Sequence, residues 1–305
     1  MTDELFICSM AQMSYYDKEY IEKCFACKTE NDMNLELGMY LSCVPFFFDA
    51  SETGYCDAQV YICNTQKNEL LIACRGTESL SDILIDLKLW RDNLYDIYYH
   101  NNFQSIKNTY GIPKIHKGFY EQYHTIKFII NQKISLYLLE NACDPVIIFT
   151  GHSLGGALST IGAVCAAIQF KHKNINIQCY TFGSPKVGNS AFVNIFNTFV
   201  TKSIRYVNNM DPVPMLPFFG YRHVKGLKHL GGIPCTFPIL YSNKTDHYIA
   251  NYKKELAKTS PPVSRIVKVS SVVKAAGLFL FMRFVFYLYI SFTREMVQHR
   301  DLLLV

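Results

Sequence analysis

The sequence lacks the features that mark several classes of protein. Its eleven cysteines are odd in number and scattered, and only Cys24 and Cys27 have C-x-x-C spacing, without a second pair to complete a metal site. We therefore expect neither a disulfide scaffold nor a bound metal. The N-terminus is acidic, where a signal peptide would have basic residues followed by a long apolar run. These observations predict an intracellular protein without a signal peptide, either cytoplasmic or on the cytosolic face of a membrane.

The chain also lacks an arginine-rich or aromatic-interleaved basic patch, and it contains no internal repeats. Its net charge of +5 is unevenly distributed. Residues 253–305 contain nine Lys or Arg and three acidic residues, a formal charge of +6, so residues 1–252 carry −1. A neutral body with a basic tail argues against nucleic acid as a partner and favours an anionic membrane surface.

The chain does contain alternating strand and helix patterns. With 305 residues, 50% of them hydrophobic, it can bury a large core. Short apolar or β-branched runs predict strands at residues 58–63, 70–74, 146–150, 175–182 and 203–208. Apolar residues at helical spacing predict helices at residues 119–139, 157–169 and 191–198. This alternation predicts an α/β fold with a mostly parallel central sheet and helices on both faces. We expect one domain over residues 1–255, whose first 50 residues form irregular helices, and a basic, apolar tail over residues 256–305.

The segment Gly151–Gly155 has the pattern G-x-S-x-G between a predicted strand and an Ala-rich predicted helix. A serine on such a sharp turn exposes its hydroxyl, and the flanking glycines let strand and helix approach closely. The helix N-terminus is then aimed at developing negative charge. Ser153 is therefore the predicted nucleophile, and we interpret the neighbouring His152 as scaffold.

Six motifs in order make the chain resemble the class 3, or fungal-type, triacylglycerol lipases of the α/β-hydrolase superfamily. They are CRGT (74–77), IHKGFY (115–120), TGHSLGGA (150–157), TFGSPKVGN (181–189), NNMDPVPMLP (208–217) and DHYIANY (246–252). The resemblance covers roughly residues 55–252. It implies the α/β-hydrolase fold and a serine hydrolase that cleaves lipid esters without a metal or cofactor.

A serine nucleophile needs an imidazole to accept its proton and a carboxylate to orient that imidazole. In hydrolases of this type the acid follows the serine along the chain and precedes the histidine. Asp211 follows a predicted strand, at the carboxyl edge where sites form in open α/β sheets. Its position before Pro212 also suits a turn initiator, and the two roles are compatible. Asp211 is therefore the predicted acid.

Several histidines compete for the role of base. His223 and His229 follow Asp211 in a glycine-rich loop and are the alternatives to be weighed. His247 matches the base of the family's aspartate-histidine motif, so the resemblance makes it the predicted base. His116 precedes the serine, the wrong side for this chain order, and by resemblance it lies near the site in a structural role.

Acyl transfer also needs hydrogen-bond donors aimed at the developing oxyanion. One is the backbone N–H of Leu154, the residue after the nucleophile. By resemblance the second is Thr77, through its backbone N–H and hydroxyl, and Asp86 accepts a hydrogen bond that orients this hydroxyl. The alternative for Thr77 is simply to cap the following turn.

Residues Ser79–Trp90 show apolar residues at helical spacing and include the only tryptophan of the chain. The segment is either an amphipathic helix packed on the core or, from its position between Thr77 and the His116 motif, an interfacial lid like those of related lipases.

Residues 275–292 form an apolar run in which Arg283 is the sole charge. Eighteen residues are at the short end for crossing a bilayer. The run either associates with a membrane, by spanning it or by lying in its interface, or docks as a helix on the hydrolase domain.

The function predicted from these patterns is hydrolysis of lipid carboxylic esters at an interface, through an acyl-enzyme. One alternative is a catalytically inactive relative that binds lipid or scaffolds a membrane. Another is a phospholipase, diacylglycerol lipase, thioesterase or acyltransferase that uses the same residues.

Overall fold

The computed structural model describes residues 4–26, 41–53, 58–77, 91–93, 109–141, 143–217, 219–232 and 244–258. The chain divides into two units, residues 1–258 and 259–305, and all described residues belong to the first. Asp86, the segment Ser79–Trp90, Cys27 and the apolar run 275–292 lie outside the described residues. Among the helices of the described part, none combines the length and apolarity needed to cross a bilayer.

A seven-stranded sheet has the strand order β1-β2-β3-β6-β7-β8-β9. Its strands are β1 (Phe46–Asp49), β2 (Gln59–Asn64), β3 (Leu70–Cys74), β6 (Val146–His152), β7 (Asn176–Phe182), β8 (Lys202–Asn208) and β9 (Leu227–Leu230). The pairs β1-β2 and β2-β3 are antiparallel, whereas all pairs from β3 to β9 are parallel. A separate antiparallel pair joins β4 (Arg91–Asn93) to β5 (Lys114–His116). The prediction of a mostly parallel central sheet is confirmed.

Six helices accompany the sheet in the described part of the chain. They are α1 (Glu4–Met13), α2 (Lys18–Ala26), α3 (Lys117–Glu140), α4 (Leu154–Gln169), α5 (Ser190–Phe199) and α6 (Ile249–Ala257). Short 3-10 turns cover Ala50–Thr53, Lys171–Lys173, Val213–Met215 and Lys244–His247.

The core has two layers because successive side chains of a strand point to opposite faces of the sheet. In β3, Leu70 and Ile72 pack on one side with α3, α4 and α5. Leu71 and Ala73 pack on the other side, with α1 and α6. A strand buried on both faces has no polar alternation, which explains the continuous apolar run of β3. Each fully buried Leu or Ile contributes about 1.5–3 kcal/mol relative to leaving it exposed.

The N-terminal 50 residues differ from the prediction of irregular helices. Residues 46–49 form β1, an antiparallel edge strand paired with β2. In the run Phe46-Phe47-Phe48 the first side chain is exposed and the other two are partly buried, so the strand shows no apolar–polar alternation. Helix α1, in contrast, is buried along most of its length against the sheet. It brings the following residue Tyr15 to the carboxyl end of β6.

Candidate active site

Ser153 lies on a strained turn between the end of β6 and the start of α4. Its φ of 55° and ψ of −124° are rare for a residue with a side chain. The turn requires glycines on both sides, because a Cβ at Gly155 would lie 2.2 Å from the carbonyl oxygen of Cys74, and one at Gly151 2.3 Å from that of Gly155. The backbone N–H of Ser153 donates to the carbonyl of Phe182 at 2.9 Å, which anchors the turn to β7. The strand–turn–helix context predicted from the sequence is present.

The side chains of Ser153, His247 and Asp211 form a continuous hydrogen-bonded series. The Oγ of Ser153 lies 2.9 Å from Nε2 of His247. Nδ1 of His247 lies 3.0 Å from Oδ1 and 2.9 Å from Oδ2 of Asp211. All three residues are buried. Since an ionised carboxylate can only accept, Nδ1 carries a proton and Nε2 offers its lone pair to the serine hydroxyl.

Asp211 is held by further donors besides His247. It follows β8, and its Oδ1 accepts the backbone N–H of Val213 at 2.9 Å, the bond of an Asx turn. Its Oδ2 accepts the hydroxyl of Tyr252 in α6 at 2.5 Å. Burial, followed by the charge of Asp211, raises the pKa of Tyr252 well above its ordinary value, so the phenol stays a donor. The contacts of Asp211 are therefore compatible with both predicted roles, the turn initiator and the acid that orients His247.

The loop that carries His247 is tied to the same end of β8. The side-chain amide of Asn208 donates to the carbonyl of Asp246 at 3.0 Å. The carboxylate of Asp246 accepts the backbone N–H of Met210 at 3.2 Å. Asp246 thus connects the 3-10 turn before α6 with the turn that contains Asp211. The aspartate of the Asp-His motif has a structural explanation that the sequence alone did not provide.

His152 makes two hydrogen bonds in the same region. Its Nδ1 lies 2.7 Å from the hydroxyl of Tyr15, and its Nε2 lies 2.6 Å from the backbone carbonyl of His247. The rings of His152 and His247 have centroids 4.6 Å apart. His152 therefore contacts the peptide backbone of His247, and Tyr15 reaches this pair from the end of α1.

The other histidines weighed as bases contact other groups. His223 donates from Nε2 to the carbonyl of Pro214 at 2.6 Å, and His229 from Nε2 to that of Asn209 at 3.1 Å. Burial, followed by the positive charge of Arg205, lowers the pKa of His223 to about 3. His116 is buried against Phe119, with ring centroids 4.4 Å apart. Of these four histidines, only His247 lies within hydrogen-bond distance of Ser153.

Thr77 and Leu154 both lie at the same edge of the sheet. Leu154 is the first residue of α4. Gly76 brings the loop after β3 close to the nucleophile turn, since a Cβ there would lie 2.5 Å from the carbonyl oxygen of His152. A cavity of about 350 Å³ opens here and is lined by Tyr15, Thr77, His152, His247 and residues 248–250. Thr77 thus lines the same cavity as His247, whereas Asp86, its predicted partner, lies outside the described residues.

Several residues at this site were missed by sequence reasoning. Tyr15 belongs to the N-terminal region to which no chemistry was assigned, and Tyr252 ends a motif from which only His247 was selected. Gly183 is the third: its φ is +60°, and a Cβ there would lie 2.8 Å from Oδ2 of Asp211. The family motifs contain Gly183 and Tyr252 but do not state their contacts. Among the described residues, no group of three or more His, Cys, Asp or Glu side chains could hold a metal ion.

Comparison with known proteins identifies the family. The family described as "Lipase (class 3)" matches residues 71–221. The secreted mono- and diacylglycerol lipase 1 of Fusarium solani is 35% identical over 170 residues, 55% of this chain and 46% of that protein. Phospholipase A(1) DAD1, chloroplastic, of Arabidopsis thaliana is 27% identical over 171 residues, 53% of this chain and 36% of that protein. The chain thus spans less than half the length of these relatives.

Solved structures share the fold. The lipase of Rhizopus microsporus var. chinensis superposes with a TM-score of 0.63 at 20% identity, over 81% of this chain and 86% of that one. The Rhizomucor miehei lipase in its propeptide complex gives a TM-score of 0.60 at 19% identity, over 81% and 79% of the two chains. These superpositions, with the parallel sheet and its flanking helices, confirm the predicted α/β-hydrolase fold.

The prediction of an intracellular location is wrong. Similar proteins of Fusarium solani and Gibberella zeae are named as secreted, which points to an extracellular location. The scattered, unpaired cysteines did not indicate a reducing compartment, for a physical reason. Five free cysteines of the described part are buried, namely Cys8, Cys63, Cys74, Cys165 and Cys179. A buried cysteine packs as a small apolar side chain in any compartment, so its failure to pair says nothing about redox environment.

The motifs, the fold and the sequence matches agree: the chain belongs to the class 3 lipase family of the α/β-hydrolase superfamily.

Proposed function

We propose that the protein hydrolyses carboxylic ester bonds of lipids, with Ser153 as nucleophile, His247 as general base and Asp211 as the orienting acid. The observation that carries this proposal is the separation of 2.9 Å between Ser153 Oγ and His247 Nε2, with Asp211 bonded to the opposite ring nitrogen. A base must lie within about 2.6–3.2 Å of the proton it removes. The membership of the lipase family supports lipid esters as the substrate class.

The reaction follows from these contacts in two halves. His247 takes the proton of Ser153 while Oγ attacks the ester carbonyl, and the resulting imidazolium is stabilised by Asp211. The tetrahedral intermediate collapses when His247 gives the proton to the leaving alcohol, which leaves an acyl-Ser153. Water, deprotonated by His247, then attacks this ester and releases the fatty acid. Serine recovers its proton, and no redox change or co-reactant other than water is needed.

We place the oxyanion hole at the backbone N–H of Leu154 and at Thr77. The first follows directly from the turn, because the N–H of the residue after the nucleophile faces the attacked carbonyl. Thr77 is supported by its position in the cavity that His247 also lines. Orientation of its hydroxyl by Asp86 remains a prediction from the family resemblance.

The relatives indicate two candidate classes of lipid substrate, acylglycerols and phospholipids. The relatives include proteins named as mono- and diacylglycerol lipases and proteins named as phospholipases A1. Phospholipid cleavage is therefore the second candidate function. An inactive lipid-binding relative is disfavoured, because the serine, the imidazole and the carboxylate all have the distances that hydrolysis requires.

Membrane association through residues 275–292 is a separate proposal that rests on the sequence. Cosedimentation of the purified chain with anionic vesicles tests it, compared with a chain ending at residue 260. Equal sedimentation of the two chains would remove the tail from the proposal.

The deciding experiment combines active-site labelling with a panel of substrates. A fluorophosphonate probe should label the wild-type protein and not Ser153→Ala. Release of fatty acid from mono-, di- and triacylglycerols and from phosphatidylcholine then identifies the head-group preference. His247→Ala should lose turnover as completely as Ser153→Ala, because such residues act as a unit. Wild-type turnover in His247→Ala, with its loss in His223→Ala or His229→Ala, would overturn the choice of base.

A further inference from the structure

His152 is a buried histidine that the proposed reaction does not use. It is 4% exposed, and both of its ring nitrogens make hydrogen bonds. Neither bond goes to Ser153 or to Asp211. One goes to the hydroxyl of Tyr15, 137 residues away along the chain, and the other to the backbone carbonyl of His247.

The chemistry of these two partners fixes the tautomer of His152. The carbonyl oxygen of His247 can only accept a hydrogen bond, so Nε2 of His152 carries a proton. Burial, followed by the charge of His247, lowers the pKa of His152 well below its ordinary value, and the ring is neutral. Nδ1 therefore has a lone pair and accepts the proton of the Tyr15 hydroxyl at 2.7 Å. The donors run in one direction, from Tyr15 to His152 to the carbonyl of His247.

The bond from His152 holds the backbone at His247, whereas Asp211 holds its ring. His247 ends the 3-10 turn Lys244–His247, immediately before α6. Loss of the bond would leave a buried carbonyl without this donor at 2.6 Å and would release the peptide that carries the imidazole. A displacement of about 1 Å in a catalytic group can cost on the order of 100-fold in rate.

The neutral state of His152 also matters during the reaction. His247 becomes positively charged when it accepts the serine proton, and the centroid of His152 lies 4.6 Å from its own. A second imidazolium at this distance would oppose that step by like-charge repulsion. Among the described residues, Asp211 and Tyr252 are titratable groups that also face this pair, and Arg75 lies over the Tyr15 ring at 6.0 Å.

We propose that His152 is a positioning residue for the base His247, and that Tyr15 holds His152 in the tautomer that donates to the His247 carbonyl. This proposal rests on the proposed function, because it concerns the same proposed base. It assigns a role to the end of α1, outside the part of the chain matched by the family.

Three single variants and one double variant of the full chain test the proposal through kcat and KM on a soluble short-chain ester. His152→Leu removes the donor and should lower kcat by about 10- to 100-fold with little change in KM. His152→Gln places an amide N–H near the position of Nε2 and should retain most of the activity. Tyr15→Phe removes only the hydroxyl and should give a smaller loss. The double variant Tyr15→Phe/His152→Leu should be no slower than His152→Leu, because Tyr15 acts through His152.

The controls separate positioning from general damage. His172→Leu removes an exposed histidine and should leave kcat unchanged. The proposal is overturned if His152→Leu matches the wild type, if His152→Gln loses as much as His152→Leu, or if the losses of the double variant add. If His152→Leu fails to fold, the kcat values of Tyr15→Phe and His152→Gln still test the proposal. If wild type and Ser153→Ala hydrolyse the ester equally, the proposed function itself has failed.

Discussion

The hydroxyl of Tyr252 donates a hydrogen bond of 2.5 Å to Oδ2 of Asp211, and both residues are fully buried. Asp211 therefore shares its negative charge between an imidazole, a phenol and a backbone N–H. Tyr252 lies in helix α6, five residues after His247 along the chain. Asp211 and His247 are consequently connected through residues 247–252 as well as through their direct contact.

Tyr252→Phe should lower kcat by about 10- to 100-fold, the value of one hydrogen bond to a charged group. Tyr180→Phe is the matched control, because Tyr180 is also buried and donates one hydrogen bond, to Gln178. Equal effects in the two variants would show that Tyr252 contributes only to packing.

Gly183→Ala should abolish most of the activity. Its φ of +60° strains any side chain, and the new Cβ would lie 2.8 Å from Oδ2 of Asp211 and 3.0 Å from the Tyr252 hydroxyl. Gly111→Ala isolates the strain, because Gly111 has φ +81° but its nearest neighbour would be 3.8 Å away. We expect both to lose about 1–2 kcal/mol in urea unfolding, and only Gly183→Ala to lose turnover. Normal turnover in Gly183→Ala would mean that Asp211 tolerates displacement.

Thr77→Val keeps the side-chain shape and the backbone N–H but removes the hydroxyl. If this hydroxyl is a transition-state donor, kcat should fall on the order of 10²–10³-fold with little change in KM. Thr125→Val is the control, since Thr125 is half-buried in α3 and its hydroxyl donates to the carbonyl of Gln122 within the same helix. An unchanged kcat in Thr77→Val would leave backbone N–H groups as the donors of the hole.

His223 should make the protein sensitive to acid. Its pKa is lowered to about 3 in the fold, chiefly by burial and then by Arg205, from an ordinary value of about 6.5. Between these values the unfolded chain binds a proton that the folded chain does not, so the free energy of unfolding should fall as the pH falls from about 6.5 toward 3.

His223→Gln removes this titration while keeping a donor for the Pro214 carbonyl. Urea unfolding at pH 7, 5 and 4 should therefore show a shallower loss of stability for this variant than for the wild type. His172→Gln, at an exposed position, should keep the wild-type slope. Parallel curves for His223→Gln and the wild type would exclude His223 as the source of acid sensitivity.

Local patterns predicted the strands and helices that form the site. The apolar run 70–74 became β3 with the same limits, and residues 146–150 became the first five residues of β6. Such runs are readable because a strand covered by helices on both faces is apolar at every position. Helix α4 starts at Leu154 rather than at 157, since the glycines that permit its approach to β3 are themselves helical. The edge strand β1 lacked a clear alternation and was missed.

By itself the sequence determined the α/β class and predicted the turn at Ser153, and the family resemblance predicted Asp211 and His247 as the partners of that serine. Only the tertiary structure decided that His247, and not His223 or His229, lies beside the serine hydroxyl. It also revealed the contacts of Tyr15 with His152 and of Tyr252 with Asp211. The physical reason is the distance along the chain between the residues in contact. Periodicity indicates which face of a single helix or strand is buried. Contacts between residues up to 137 positions apart depend on how the sheet and helices pack.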